Sequence, residues 1–169
     1  MSDTLAHRRR VLHPGLRAVP AFIHAPKPYA HVYLAQTDAD ILLCFPVLAE
    51  LRPHLVEAQF VERVRRQAQE SGYALAFVEE RGVKAVAGFR VAEFLAWGKI
   101  LYVDDLITLS EDRSKGHGRI LFEWLVARAR DAGCAEFHLD SGVQRFDAHR
   151  FYLRQRMAIS AHHFSLKLQ

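Results

Sequence analysis

Residues Lys99–Gly118 read KILYVDDLITLSEDRSKGHG. The first part, Lys99–Leu109, is rich in aliphatic and β-branched residues and reads as a strand. Ser110–Gly118 is polar and holds Gly116 and Gly118. Directly after it, Arg119–Gly133 (RILFEWLVARARDAG) carries Ile120, Leu121, Trp124, Leu125 and Ala129 on one face at helical spacing, and Gly133 ends that helix. A strand that runs through a glycine loop into a helix N-terminus makes an anion site. Glycine lets backbone N–H groups come close to a ligand, and the helix dipole adds about half a positive charge. Arg113, Lys115 and Arg119 put cationic side chains around the same loop. The loop is neither GxxxxGK[ST] nor GxGxxG, which excludes a Walker loop and the dinucleotide fingerprint.

Upstream of this stretch, Tyr73–Glu80 and Val83–Phe94 read as strands joined by a turn at Arg81-Gly82, and Gly98 turns into the next strand. That is a three-strand meander, expected to be antiparallel. Residues 57–70 place Phe60, Val61, Val64 and Ala68 on one helical face, ended by Ser71-Gly72. Thr37-Asp38-Ala39-Asp40 offers N-caps for a helix beginning near Ile41. Pro46 should kink that helix or lie in its first turn, and Pro53 marks a boundary. His31–Gln36 reads as a short strand. Downstream, Cys134–Gly142 reads as a strand, Asp147–Gln155 as a short helix, and Ala158–Leu168 as a final strand. The order β-α-α-β-β-β-α-β-α-β specifies a single α/β domain. Its mixed, mostly antiparallel sheet should be flanked by about four helices.

The chain of 169 residues has 23 Lys+Arg against 19 Asp+Glu. The excess of +4 invites a nucleic-acid reading, yet all of it lies in residues 1–30, with five basic residues and one acidic. Four prolines also lie there, so residues 1–30 read as a Pro-rich, basic, flexible extension and 31–169 as the domain. The domain itself is neutral, so no nucleic-acid partner is expected. Cys44 and Cys134 sit in apolar contexts and read as reduced fillers, not a disulfide scaffold. No run of about 18 apolar residues occurs, so no membrane partner is expected and the default compartment is the cytoplasm.

Three motifs recur together here. Arg113–Gly118 (RSKGHG) matches an [RQ]xxGx[GA] loop, Asp105 lies eight residues before it, and Ala148-His149-Arg150-Phe151-Tyr152 matches Ala-x-x-[Phe/Leu]-Tyr. On these residues the sequence resembles the GNAT-type N-acetyltransferase superfamily over about 31–169. Leu51–Leu55 and Gln67–Leu75 are similar to a subset of its bacterial sequences. The resemblance implies acetyl-CoA as cosubstrate, its pyrophosphate on the loop amides of Ser114, Lys115, Gly116, His117, Gly118 and Arg119, with Arg113 among the residues that bind the cofactor. It implies that the pantetheine arm pairs with the backbone of Leu106, Ile107 and Thr108. Tyr152 is implied as the acid that protonates the leaving thiolate, and Asp105 as base or amine ligand. Arg145 stands where many members have asparagine, a place compatible with a phosphate or pantetheine contact. Arg156-Met157 stands where many have Gly-Phe, which should loosen the turn after the short helix. Dimers are common in such folds.

On an ideal strand, only one of Asp104 and Asp105 can face a cleft, and the family spacing selects Asp105. Ten histidines form no HxH, HExxH or Cys/His cluster, so no metal is assigned. Trp97, before Gly98, reads as a hairpin tip or a pocket wall, and Trp124 as core. Residues 31–112 carry a net −5 and residues 113–169 a net +5. A basic second half suits a phosphorylated cosubstrate and an acidic first half suits a cationic amine, whether a small molecule or a peptide. The expected reaction is direct acetyl transfer to a primary amine in a ternary complex. The rivals are a catalytically silent acyl-CoA sensor on the same fold and a nucleic-acid binder working through the tail.

Overall fold

The computed structural model describes residues 31–168. The Pro-rich extension expected over 1–30 lies outside the described residues. The elements are β1 (Val32–Leu34), α1 (Asp38–Leu51), α2 (Glu57–Ser71), β2 (Ala74–Glu79), β3 (Val83–Phe94), β4 (Gly98–Thr108), α3 (His117–Asp131), β5 (Glu136–Leu139) and α4 (Phe146–Arg154). The strands form one sheet in the order β1-β2-β3-β4-β5. Pairing is antiparallel from β1 to β4, and β4 with β5 is parallel.

Local chemistry explains where the helices begin. Thr37 caps α1 in a capping box: its hydroxyl accepts from the Asp40 amide at 3.1 Å, and the Asp40 carboxylate accepts from the Thr37 amide at 2.8 Å. Pro46 lies inside α1, past its first turn, and the helix runs on to Leu51.

Alternation along the strands divides the core into two layers. Leu75, Phe77, Val86 and Ile107 face α1 and α2, where Ile41, Leu48, Phe60 and Val64 cover them. Ala76, Val78, Ala87, Phe89 and Val103 face Leu121, Leu125 and Ala129 of α3. Leu121 and Leu125 are fully buried, so truncating either to alanine costs about 2–5 kcal/mol. Trp124 packs edge-to-face on Phe89 at 6.0 Å beside this layer.

One expected element is corrected. Residues 158–168 form no strand; Ile159, Phe164, Leu166 and Leu168 are exposed. Phe164, Leu166 and Leu168 alternate as a strand would, but a strand also needs a ladder partner, and β5 remains the sheet's edge. Arg156 keeps a left-handed turn after α4, with φ +65°. Arginine therefore holds the conformation that glycine would adopt without strain.

Candidate active site

The glycine loop is anchored from below. After β4, a single 3-10 turn at Ser110–Asp112 buries the Asp112 carboxylate. Lys84 of β3 reaches one of its oxygens at 2.9 Å and Lys115 the other at 2.7 Å. The Lys115 and Lys84 contacts hold its carboxyl below the usual carboxylate range. Ser114 and Gly116 then take left-handed conformations, φ +64° and +95°, which turn the chain into α3. Strain at Ser114 is of the kind found at binding loops. A Cβ on Gly118 would lie 2.8 Å from the Thr108 hydroxyl, so a larger residue there would force that hydroxyl to turn aside from the start of α3. The first amides of α3 have no partner within the helix and point outward.

A cleft of about 520 Å³ opens over this loop. Thr108, Arg113, Ser114, Gly116, His117, Gly118 and Arg119 form one wall, and Phe151, Arg154 and Gln155 at the end of α4 form the other. Seven of the residues picked from the sequence therefore share one cleft. Lys115 does not; its ammonium is taken by Asp112. Leu106 packs toward α3, and Ile107 is buried under α1 and α2, so the sheet backbone is what those positions can offer. The β4–β5 ladder ends at Val103 and Leu139. Beyond it, residues 104–108 have β3 on one side and, among the described residues, no strand on the other.

Tyr152 lies on α4 beside Phe151, with ring centroids 5.5 Å apart, and lines neither this cleft nor the one described next. Burial pushes its phenol above the ordinary value, against an opposing pull from Arg145. Arg145 itself is exposed at the N-cap of α4, and its amide donates to the Gly142 carbonyl at 2.9 Å. Arg154 and Gln155 were not foreseen. Their signal was the cationic last turn of α4, facing a loop already identified as anion-binding.

A second cleft, of about 510 Å³, lies between α1, α2 and the other end of this stretch of β4. Here one sequence expectation is corrected: Asp104 and Asp105 both line it. Gly88 pairs with Asp105 while Phe89 pairs with Val103, leaving Asp104 as the extra residue of a β-bulge. A bulge breaks the alternation that an ideal strand would impose. Asp104 takes a two-pronged contact from Arg90, at 3.0 and 2.9 Å. Arg52 of the α1 C-cap donates to Asp105 at 2.8 Å, and the Tyr73 hydroxyl donates to its other oxygen at 3.1 Å. Burial, then the Asp105 charge, pushes the Tyr73 phenol well above its ordinary value. A Cβ on Gly88 would overlap the Tyr73 hydroxyl and ring, so this contact requires glycine on β3. At the far wall, Asp140 accepts from the Tyr102 hydroxyl at 2.6 Å and faces His163 at 2.9 Å. Burial and the Asp140 hydrogen bond push the Tyr102 phenol up. Trp97 lines neither cleft; it packs at the hairpin tip on Phe94 and His138.

The loop, the bulged strand and the helix after them fall inside a match between residues 35–156 and the sequence model of the Acetyltransferase (GNAT) family. The chain belongs to the GNAT acetyltransferase family. It is 36% identical over 109 residues to a Bacillus subtilis (strain 168) protein described as the uncharacterized N-acetyltransferase YhdJ, covering 64% of this chain and 77% of the relative. In fold it is similar to a transcriptional regulator from Bacillus halodurans C-125, with TM-score 0.71 and 21% identity over 82% of this chain and all of that one. It is also similar to the ribosomal-protein-alanine N-acetyltransferase from Brucella melitensis biovar Abortus 2308, with TM-score 0.68 and 16% identity over 81% and 99% of the two chains.

GNAT acetyltransferases use acetyl-CoA as cosubstrate. The loop cleft fits the phosphate end of such a molecule. It combines the outward amides of the α3 start with Arg113, Arg119 and Arg154. The absence of Cβ atoms at Gly116 and Gly118 leaves the backbone approachable.

Proposed function

We propose that this GNAT protein transfers the acetyl group of acetyl-CoA to a primary amine by direct attack in a ternary complex. One observation carries the reading. A single stretch of β4 has the carboxylate cleft at Asp104-Asp105 and the loop cleft at Thr108, about 10 Å apart at strand spacing. Cosubstrate held at one end can therefore present its thioester to an amine held at the other.

In this reading Arg113, Ser114, Gly116, His117, Gly118 and Arg119 hold the pyrophosphate. The open backbone edge of Leu106–Thr108 pairs with the pantetheine arm, and an N–H there stabilises the oxyanion. Asp105 binds the amine and takes up its proton, directly or through water. The amine nitrogen bonds to the acetyl carbon, the carbon–sulfur bond breaks, and sulfur keeps the electron pair. Tyr152, whose raised value keeps it protonated at neutral pH, returns a proton to that sulfur. No cysteine relays the acetyl group. Burial pushes the Cys44 thiol up to about 12, and neither cysteine lines a cleft.

The family match and the N-acetyltransferase relative favour transfer over a catalytically silent acyl-CoA sensor. Incubating the full chain with acetyl-CoA and a panel of amines, while reading released thiol, tests this. Amine-dependent release is expected. Binding of acetyl-CoA with no release from any amine would instead support the sensor.

A further inference from the structure

The transfer reading leaves the acceptor open, and the charges of the carboxylate cleft bear on it; the inference below rests on that reading. Three charges lining the cleft are already matched. Arg90 neutralises Asp104, and Arg52 neutralises Asp105. Two are not matched in this way. Asp140 has the Tyr102 hydroxyl and the His163 ring against it, and no arginine or lysine among the described residues. The Arg63 side chain, on the α2 wall, makes no hydrogen bond or ion pair with a described residue, and neither does the His54 ring in the turn before α2. Gln67 shares the Arg63 face of α2, one helical turn on, and also lines the cleft.

The positions of Asp140 and Arg63 matter. Asp140 directly follows Leu139, where the β4–β5 ladder ends. It therefore stands at the point where the strands part, beside the open backbone edge that receives the acetyl group. Arg63 stands on a helix at a different wall. A ligand carrying only a positive amine would satisfy Asp140 and leave Arg63 unmatched. A diamine would place its second charge in a cleft that holds an unpaired arginine, at a cost. An amine that also carries an anion satisfies both walls.

We infer that the acceptor is a small amine bearing an anionic group, its ammonium received by Asp140 together with Asp105 and its anion by Arg63. A carboxylate and a phosphate or phosphonate present the same chemistry to a guanidinium. The anion takes no part in the reaction. The deprotonated nitrogen gains the acetyl carbon, and the sulfur leaves with its electron pair and gains a proton.

The test is a calorimetric titration of the full chain, saturated with CoA so that no turnover occurs. The ligands are a matched set: 3-aminopropanoate, 2-aminoethyl phosphate, propylamine and 1,3-diaminopropane. At least one anionic amine should bind about tenfold or more tightly than propylamine, as a charge-assisted contact supplies, and the diamine most weakly. The two anionic arms show which anion is preferred. Arg63→Ala should bring that preference close to one, and Arg63→Lys should keep part of it. Arg63 is exposed, so an unchanged melting temperature will show that the variant folds. Equal or tighter binding of propylamine or the diamine would overturn the inference. So would undetectable binding of both anionic amines, or a preference that survives Arg63→Ala. Thiol release from acetyl-CoA with the same amines tests the transfer reading separately. Its absence would overturn that reading, while the calorimetric preference stands or falls by itself.

Discussion

The loop cleft and the carboxylate cleft lie at opposite ends of one short stretch of β4, and they are built in opposite ways. The loop cleft is largely a backbone site. Seven of its residues come from Thr108–Arg119, and its shape depends on the left-handed Gly116 and the close approach at Gly118. The carboxylate cleft is a side-chain site. Arg52, Arg63, Tyr73, Tyr102, Asp105, Asp140 and His163 reach it from separate parts of the chain. The first design suits a cosubstrate shared by a whole family. The second can change one side chain at a time, so specificity belongs there.

The largest expected effect breaks catalysis without touching either wall. Tyr152→Phe should lower kcat by about 10²–10⁴, the usual worth of a general acid, while acetyl-CoA still binds. Single-turnover thiol release measures it, and an unchanged rate would remove Tyr152 from the mechanism. Next comes a break confined to the carboxylate side. Gly88→Ala drives a methyl group into Tyr73, and overpacking of that kind costs about 1–3 kcal/mol. Chemical denaturation should show that loss, and the amine KM should rise while acetyl-CoA still stabilises the variant.

Tyr73 then gives a pH signature. Its folded value is raised, so the folded chain keeps a proton that the unfolded chain releases above about pH 10. Stability from this group is complete below pH 10 and is lost as pH climbs toward the raised value, by about 1.4 kcal/mol per pH unit. Tyr73→Phe should flatten that alkaline slope in thermal melts. The smallest effect sharpens the loop side. Arg156→Gly relieves a left-handed arginine after α4 and should add about 0.5–1 kcal/mol once the flexibility of glycine is counted. A lower melting temperature would mean that Arg156 makes up for its strain elsewhere.

What could be read in the sequence follows the same division. The loop, its helix and the meander before them depend on neighbours in the chain, so periodicity and glycine placement revealed them. Asp104 was misjudged because the bulge arises from its pairing with β3, which no local pattern records. Arg52 and Tyr73 lie 53 and 32 residues from the carboxylate they hold. The stretches that hold them, Leu51–Leu55 and Gln67–Leu75, resemble bacterial family members, but nothing local says that either side chain meets Asp105. The strand expected over 158–168 failed for a related reason. The alternation of Phe164, Leu166 and Leu168 fits a half-buried strand, but no strand among the described residues pairs with it. The Lys115 ammonium's partner was not legible either, because Asp112 reads as one more polar loop residue until the fold buries it.

The central claim is that the glycine loop holds acetyl-CoA, and a thermal-shift titration of the full chain against Gly116→Asp tests it most directly. Binding to the folded state alone stabilises it by about 2.7 kcal/mol at a hundredfold excess over Kd, a rise in melting temperature that is easily read. Gly116 has φ +95°, so aspartate there brings both strain and a negative charge against the pyrophosphate. A clear shift for the natural chain and none for Gly116→Asp is the predicted result. No shift for the natural chain at millimolar acetyl-CoA, or an equal shift in both, would contradict it.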